Sequence, residues 1–532
     1  MRAANFFLAC LMAAVPLCGA GPMFYPDDPL LHEPDPLHVE KALSRKLSDY
    51  YDFFLNTFAR PGRHDKPVPA QAVNTLGEPM DGAWYTHRHY FHPMSIEQLR
   101  LGPGGRTPPS ARGAWTVIKA KSEGITPGFT IVDAEQRVYF LKFDPPANPE
   151  MATAADAISA RIFYALGYHV PDNYIVYFEE SRLVLGKDVM LADKLGRKHK
   201  MTRRELREVL IQAPKDARGR YRAVASLAVE GKPIGPFRYH GVRKDDPNDI
   251  VPHERRRDLR ALRVFCAWLN HEDSRAVNTL DTLVERHRRR HIRHYLIDFG
   301  STLGSASTKA NPPRSGHEYL FSWKTSAHHL FTLGLAVPAW ARARYPDYPS
   351  VGRFEAATFQ PDKWVPEYPN PAFEQCDAAD AFWAAKQVMS FTNEQLRALV
   401  SAGQYTDPAA EAYVVKVLAE RRDRVGRAYL EKVLPLDRFA VRGNRLVFDD
   451  LGLRHGTART RLLQVAWSHF DNAAGRSTPI EGANGFEAPP EAAGDGYYVA
   501  EVKQAGDDRR MVKVYLRRQG ASLQVVGVDR AW

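Results

Sequence analysis

Two short runs decide how this chain is read: His271-Glu272-Asp273-Ser274-Arg275-Ala276-Val277-Asn278 and Tyr295-Leu296-Ile297-Asp298-Phe299-Gly300. The first follows a strongly apolar helical stretch, about 254–270. The second is an apolar strand that ends on an aspartate. Thr279–Val284 and Arg293–Ile297, between and within them, read as the two arms of a hairpin. A third piece lies upstream. Lys142 sits inside Tyr139-Phe140-Leu141-Lys142-Phe143, an apolar strand that comes after the turn-rich Glu123-Gly124-Ile125-Thr126-Pro127-Gly128.

Taken singly these pieces are ordinary. A lysine between apolar neighbours on a strand is most often an edge residue with a solvated head. Gly124 and Gly128 are most often turn formers, and they do not spell Gly-x-Gly-x-x-Gly. Their order carries more than any one of them. Phosphoryl transfer needs a lysine on the donor's phosphates and an Asp and an Asn on the metal. It also needs a second Asp to orient the acceptor hydroxyl. Asp273 and Asn278 are five positions apart, the spacing of base and metal ligand in a kinase catalytic loop, and Asp298 follows beyond the hairpin.

This order resembles the protein-kinase-like fold. More narrowly it resembles the atypical kinases: the HipA type, the spore-coat CotH type and the secreted Golgi kinases. The resemblance covers 115–305 by motif, with 310–435 as a helical C-lobe. It implies that Lys142 holds phosphates, that Asp273 is the catalytic base, and that Asn278 and Asp298 bind metal. It places Arg275 as a phosphate-contacting cation and the loop Gly124–Gly128 over the nucleotide phosphates. Asp156, on the helix after the lysine strand, replaces the usual glutamate partner of the lysine, with Glu150 as the alternative. The implied cofactors are ATP, or another nucleotide, and Mg²⁺. The implied activity is a Mg-dependent phosphotransferase acting on a hydroxyl of a protein, a sugar or a lipid. The competing reading is a secreted pseudokinase or envelope binding module with no catalysis. His271-Glu272-Asp273 lacks the arginine of His-Arg-Asp, and no Ala-Pro-Glu follows Asp298, so the acceptor platform differs from that of ordinary protein kinases.

The expected fold is therefore α+β, a two-lobed protein-kinase-like fold with a β-rich N-lobe and a helical C-lobe. The expected divisions are a signal peptide at 1–20, an N-terminal extension at 21–110, the N-lobe at 111–190, the C-lobe at 191–435 and a C-terminal β-containing region at 436–532. Strands are expected at Trp115–Lys119, Phe129–Val132, Val138–Phe143, Tyr174–Phe178 and Leu183–Leu185, with a helix from Glu150 to Leu166 closed by Gly167. A helix is expected around His38–Ala59, and helical character throughout 325–435. Thr392 with Gln395 spells a capping box, and Asp407-Pro408 opens a further helix. Tyr497–Val502, Met511–Leu516 and Leu523–Val528 alternate like strands.

Composition narrows the class. Of the 532 residues 44% are hydrophobic, enough to bury a core, which excludes disorder as the main state. Past the N-terminus no uncharged apolar run approaches the roughly 20 residues of a membrane span. The net charge is 73 − 62 = +11. It gathers in runs at 197–200, 203–204, 255–257 and 286–294, read as solvated helix faces and loop tips, since no nucleic-acid-binding motif accompanies them. His87, His89 and His92 lie close together but without a carboxylate or Cys in register for a metal, and Asp245–Asp249 reads as an Asx-type turn. Met1-Arg2, the apolar Phe6–Leu17 and Cys18-Gly19-Ala20 have the order of a secretory signal cleaved after Ala20. Export to a periplasmic or extracellular compartment is the expectation. Cys266 reads as a buried free thiol, with a Cys266–Cys376 disulfide open as an alternative.

Overall fold

The computed structural model describes residues 21–64, 66–104, 107–120, 128–192, 197–323, 331 and 337–532. The chain is α+β, with several separate sheets. The expected signal segment and Gly124 lie outside the described residues.

The extension runs mostly without regular structure. The helix expected around His38–Ala59 contracts to α1 (Asp49–Phe54), continued by a π turn, Leu55–Ala59. The apolar spacing there serves a surface: Tyr50, Tyr51, Phe54 and Phe58 are all more than half exposed. A second helix, α2 (Ile96–Leu101), opens on a capping box formed by Ser95 and Gln98. The start of the extension docks on the last sheet of the chain. Phe24 packs among Phe470, Tyr497 and Tyr515, and Asn472 holds the Phe24 backbone at both its N–H and its carbonyl.

The first sheet contains β1 (Trp115–Ala120), β2 (Gly128–Val132) and β3 (Val138–Phe143). Helix α3 (Met151–Ala165) follows, then β4 (Asn173–Phe178) and β5 (Leu183–Leu185). These agree with the strands and helix expected. A two-stranded ribbon, β6 (Met190–Ala192) with β7 (Lys198–Lys200), and α4 (Arg203–Ile211) lead to β8 (Tyr221–Leu227). Strand β8 inserts between β4 and β3, giving the order β4-β8-β3-β2-β1-β5. The sheet therefore extends to Leu227, past the division expected at 190. Its reason is the run Ala223-Val224-Ala225, which is almost fully buried and can only be satisfied between two strands.

Helix α3 lies against this sheet and is buried along nearly its whole length. Asp144 fastens its first turn, accepting from the Thr153 N–H at 2.8 Å and from its hydroxyl at 2.6 Å. Arg222 on β8 donates to the Thr153 hydroxyl and to the Gln404 carbonyl. Gly167 ends the helix at φ +108°, and a Cβ there would lie 2.2 Å from the Tyr85 ring. Only glycine permits that approach.

Strand β9 (Lys232–Gly235) precedes α5 (Arg257–Leu269), which is followed by the hairpin β10 (Thr279–Arg286) and β11 (Arg289–Leu296). Asn270, at φ +52°, closes α5 and accepts from the Trp364 indole at 2.9 Å. Two arginines of the basic run 255–257 are drawn into ion pairs instead of forming a solvated face. Arg256 is 6% exposed and pairs with Asp258 at 2.9 Å, and Arg257 pairs with Asp380 at 3.0 Å. These arginines tie the start of α5 to its surroundings, while Arg203 and Arg204 are exposed as expected.

The region 337–370 is largely irregular, against the helical character expected there. Gly304 and Gly352 pass so closely that a Cβ on Gly352 would lie 2.0 Å from the Gly304 carbonyl oxygen. Helices resume at Pro371–Glu374, Ala378–Met389, Asn393–Val400 and Pro408–Leu430, the last two at the Thr392 and Asp407 caps read from sequence. With α3 and α5 they enclose the largest core, around Trp268, Trp383, Phe265 and Phe163. Arg421, 4% exposed, donates to the carbonyls of Ala267, Trp268 and Glu355. It thus caps the C-terminal end of α5, where the helix dipole is negative.

The final region pairs β12 (Leu436–Arg442) with β13 (Arg445–Asp450). A five-stranded antiparallel sheet follows, from β14 (Leu463–Asp471), β15 (Arg476–Asn484), β16 (Gly496–Gln504), β17 (Asp507–Gln519) and β18 (Ser522–Arg530). Lys386 and Arg530 both pair with Asp437, at 2.9 Å and 2.8 Å, and join this region to the helical core. Among the described residues no helix is long and apolar enough to cross a membrane.

Arg421→Leu leaves the carbonyls of Trp268 and Glu355 without the donor they have here, while that of Ala267 keeps the Asn270 N–H, at roughly 1–3 kcal/mol for each unsatisfied group. The expected outcome is a thermal midpoint lowered by several degrees, read by circular dichroism. An unchanged midpoint would remove Arg421 from the architecture of the α5 terminus.

Candidate functional site

The register of two ladders brings the sequence motifs together. In the β2–β3 ladder Gly128 lies opposite Lys142, and in β3–β8 Lys142 lies opposite Val224. In the hairpin Thr279 pairs with Leu296, and the Ile297 N–H donates to the Asn278 carbonyl at 3.0 Å. Asn278 is thereby fixed across from Ile297, one residue before Asp298. Asp298 itself adopts left-handed backbone, φ +62°, which turns the chain from the strand into the helical turn Phe299–Ser301.

Lys142 joins these parts. Its ammonium donates to Asp298 Oδ1 at 2.8 Å and to Asp156 Oδ2 at 3.2 Å. Asp156 is 1% exposed and also accepts from Asn173 Nδ2 at 2.6 Å. The partner of Lys142 is therefore Asp156. Glu150 stands at the N-terminal end of α3, where it accepts from the Thr406 N–H and lies 4.0 Å from Arg222. Burial alone would lower the Lys142 pKa, but the two carboxylates outweigh it and hold the ammonium above its ordinary value.

A cavity of about 440 Å³ opens beside this cluster, between the first sheet and the β9–β10–β11 sheet. Its walls are mostly apolar, from Phe129, Leu141, Leu227, Val229, Leu280 and Ile297. Lys142 and Asp298 also line it, which is the arrangement of an apolar slot with a few fixed charges.

The catalytic-type loop forms a second charged group. Asn278 Nδ2 donates to the Asp273 carbonyl at 2.8 Å, so the five-residue spacing closes a tight turn. Asp273 is pushed up to about 6, chiefly by burial, with Asp298 and Glu367 adding to the rise and Arg275 opposing it. Arg275 is engaged by three carboxylates: its Nε donates to Asp273, Nη1 pairs with Asp49 at 2.6 Å and Nη2 with Glu367 at 2.8 Å. Its guanidinium thus holds Asp273 in place here, where the resemblance implied a phosphate contact. Tyr368 completes the group, donating to Asp49 at 3.1 Å and to Asp52 at 3.0 Å. His271 is pushed down to about 4 by burial and is hydrogen-bonded through Nδ1 to the Ser301 carbonyl, which ties the loop to the segment after Asp298. Glu272, beside it, is pushed up to about 7 by burial.

Asp49, Glu367 and Tyr368 were not visible as site residues in the sequence. Asp49 lies 224 positions before Asp273 in a region with no motif, and Glu367 and Tyr368 lie in an irregular loop. The cavity wall at 226–231 was equally hidden, because β8 was not expected in this sheet. The other candidates stand apart. His89 bonds Gln395 and the Met94 N–H, and His87 pairs with Asp81. Asp249 bonds His253, while Asp246 accepts from the Asn248 N–H as an Asx turn requires. Cys266 and Cys376 are both free thiols, and burial raises Cys266 to about 12. Among the described residues no group of three or more His, Cys, Asp or Glu side chains could hold a metal ion.

Comparison of the chain with protein-family models, with curated proteins and with solved structures gives no match.

Lys142→Met leaves Asp156 and Asp298 facing each other without a cation. Removing one partner of a buried pair costs roughly 3–5 kcal/mol. Asp156 in this variant titrates above its unfolded value, so the penalty is fully present at neutral pH and shrinks as pH falls and the carboxyl protonates. The expected outcome is a denaturation midpoint well below that of the native chain at pH 7 and closer to it at pH 5. A pH-independent gap would show that the ion pair is not the source.

Proposed function

We propose that this protein is a Mg²⁺-dependent phosphotransferase that moves a phosphoryl group from a nucleotide, ATP in the first instance, to a hydroxyl of a protein, sugar or lipid acceptor. The observation that carries the reading is the convergence of Lys142 and Asp156, on consecutive elements, with Asp298, 156 positions beyond Lys142, beside an apolar cavity of about 440 Å³. In this reading the two-lobed kinase-like architecture consists of the first sheet with α3 above the cavity, and the hairpin with the helical core below it.

The base would lie between the apolar walls, with Lys142 towards the phosphates. The acceptor oxygen forms a bond to the γ-phosphorus while the bond from that phosphorus to the bridging oxygen breaks, and the nucleoside diphosphate leaves. The hydroxyl proton passes to Asp273. Its carboxyl, raised to about 6, is ionised yet basic at neutral pH, as a general base requires. Arg275, anchored by Asp49 and Glu367, keeps that carboxylate oriented. The donor set fits a hard divalent cation. Asp298 offers carboxylate oxygen, and Asn278, whose amide nitrogen bonds Asp273, offers its carbonyl oxygen. Such a cation neutralises charge on the transferring group. Two protein oxygens suit Mg²⁺, which keeps waters and phosphate oxygens in its shell.

A second reading, a module that holds nucleotide without transferring phosphate, draws on the same clamp. Three carboxylates on Arg275 and a lysine already paired with Asp298 describe a site that is electrostatically closed. Export, read from the N-terminal segment, belongs equally to both readings.

ATP with Mg²⁺ is expected to raise the unfolding midpoint of the full chain, by about 2.7 kcal/mol of stabilisation at a hundredfold excess over Kd. Asp273→Asn should keep that rise and abolish turnover. A rise in the native chain with no turnover against any acceptor would favour the binding module. No rise with any nucleotide would exclude both. Turnover should increase as pH passes upward through about 6, where Asp273 ionises. Glu367→Gln removes a negative charge that raises Asp273, so the acid limb of its rate profile should move to lower pH; an unmoved limb would assign it to another group.

A further inference from the structure

A second cavity, of about 640 Å³, lies where the extension, the helices Asn393–Val400 and Pro408–Leu430 and the segment 438–457 meet. It shares no residue with the cavity at Lys142. Four arginines line it, Arg422, Arg427, Arg438 and Arg454, with Asp423 and Glu431 as the acids.

The cations are incompletely neutralised. Arg422 is the most committed, donating to Asp423 at 2.8 Å and to the Phe391 carbonyl at 2.7 Å. Arg438 and Arg454 share a single carboxylate, Asp449, at 3.4 Å and 2.8 Å. Arg427 is exposed and forms no ion pair among the described residues. The Thr457 hydroxyl, also in the wall, is buried and has no hydrogen-bond partner among them. His455 is pushed down to about 4 by burial and by Arg454 and Arg422, so the wall already repels one further positive charge. Guanidinium groups offer paired N–H donors that match phosphate and sulfate oxygens. A cavity of this volume exceeds what a single small anion fills.

We propose that this cavity binds a compact polyanion, a small molecule bearing two or more phosphate or sulfate groups, through Arg427, Arg438 and Arg454 with the Thr457 hydroxyl as a further partner. The site is separate from the proposed phosphotransferase centre and does not depend on that assignment. It gives the extension and the C-terminal region a common ligand, because Tyr90 and Arg438 meet there: Arg438 donates to the Tyr90 carbonyl and lies over its ring.

The test is calorimetric titration of the full chain with inorganic tripolyphosphate, and separately with a trisulfated disaccharide, in about 150 mM KCl so that weak surface attraction is screened. Saturable binding of at least one probe is expected, and the tighter one identifies the anion. Arg427→Ala and Arg454→Ala should each weaken it by roughly tenfold or more, the size of a lost charged hydrogen bond. Arg427 is exposed and unpaired, so its replacement leaves folding intact, and Asp273→Asn should bind like the native chain. No heat with either probe at about 1 mM, or affinity unchanged in both arginine variants, would overturn the proposal.

Discussion

Everything at the candidate centre depends on one ammonium group between two carboxylates. Lys142 reaches Asp156 on α3 and Asp298 at the end of the hairpin, so it joins the first sheet, its helix and the β10–β11 unit at one point. Two acids this close, one of them fully buried, would otherwise repel, and the buried one would take a proton. The lysine makes the arrangement tolerable, and the arrangement in turn fixes how the sheet sits on the hairpin. Any ligand that takes a share of Lys142 or Asp298 must therefore act on the packing between those elements, which links occupancy of the cavity to the geometry of the site.

A second constraint holds the loop that carries Asp273. Arg275 is shared among Asp273, Asp49 and Glu367, and Tyr368 bridges from Asp49 to Asp52. A residue of the extension is thus part of the support of the catalytic-type loop. The opposite end of the same extension is anchored by Phe24 on the C-terminal sheet. The buried set of Lys386, Asp437 and Arg530 fastens that sheet to the helical core. The surrounding cations hold Asp437 down to about 2, against burial, so this link is complete above the ordinary carboxylate range and is lost as pH falls towards 2. Extension and C-terminal region are parts of the framework around the loop.

Local signals were legible where chemistry and period coincide. The strands at 115, 129 and 138, the helix after Glu150, the caps at Thr392 and Asp407 and the hairpin from Thr279 all follow from residues adjacent in sequence. Asp156 as the partner of Lys142 was legible as one of two options, Asp156 or Glu150, through the resemblance, which puts a carboxylate on the helix after the lysine strand. What escaped was non-local. Strand β8 enters the sheet across some forty residues from β4, and no periodicity announces which edge or gap a strand will take. The helix expected around His38–Ala59 shrank because its apolar residues face solvent instead of a core. The run Arg255-Arg256-Arg257 reads as a solvated face by composition, yet Arg256 lies against Asp258 and Arg257 against Asp380. Pairing across the fold decides such charges, and sequence spacing does not carry it.

The central claim is that nucleotide occupies the cavity beside Lys142. Hydrogen-exchange mass spectrometry of the full chain, with and without ATP and Mg²⁺, tests it directly, because backbone protection reports where a ligand restrains the chain. The account expects slowed exchange confined to 128–143, 226–233 and 278–300, the segments that form the cavity and its charged end. Unchanged exchange in all three segments, or protection only around 422–457, would contradict it.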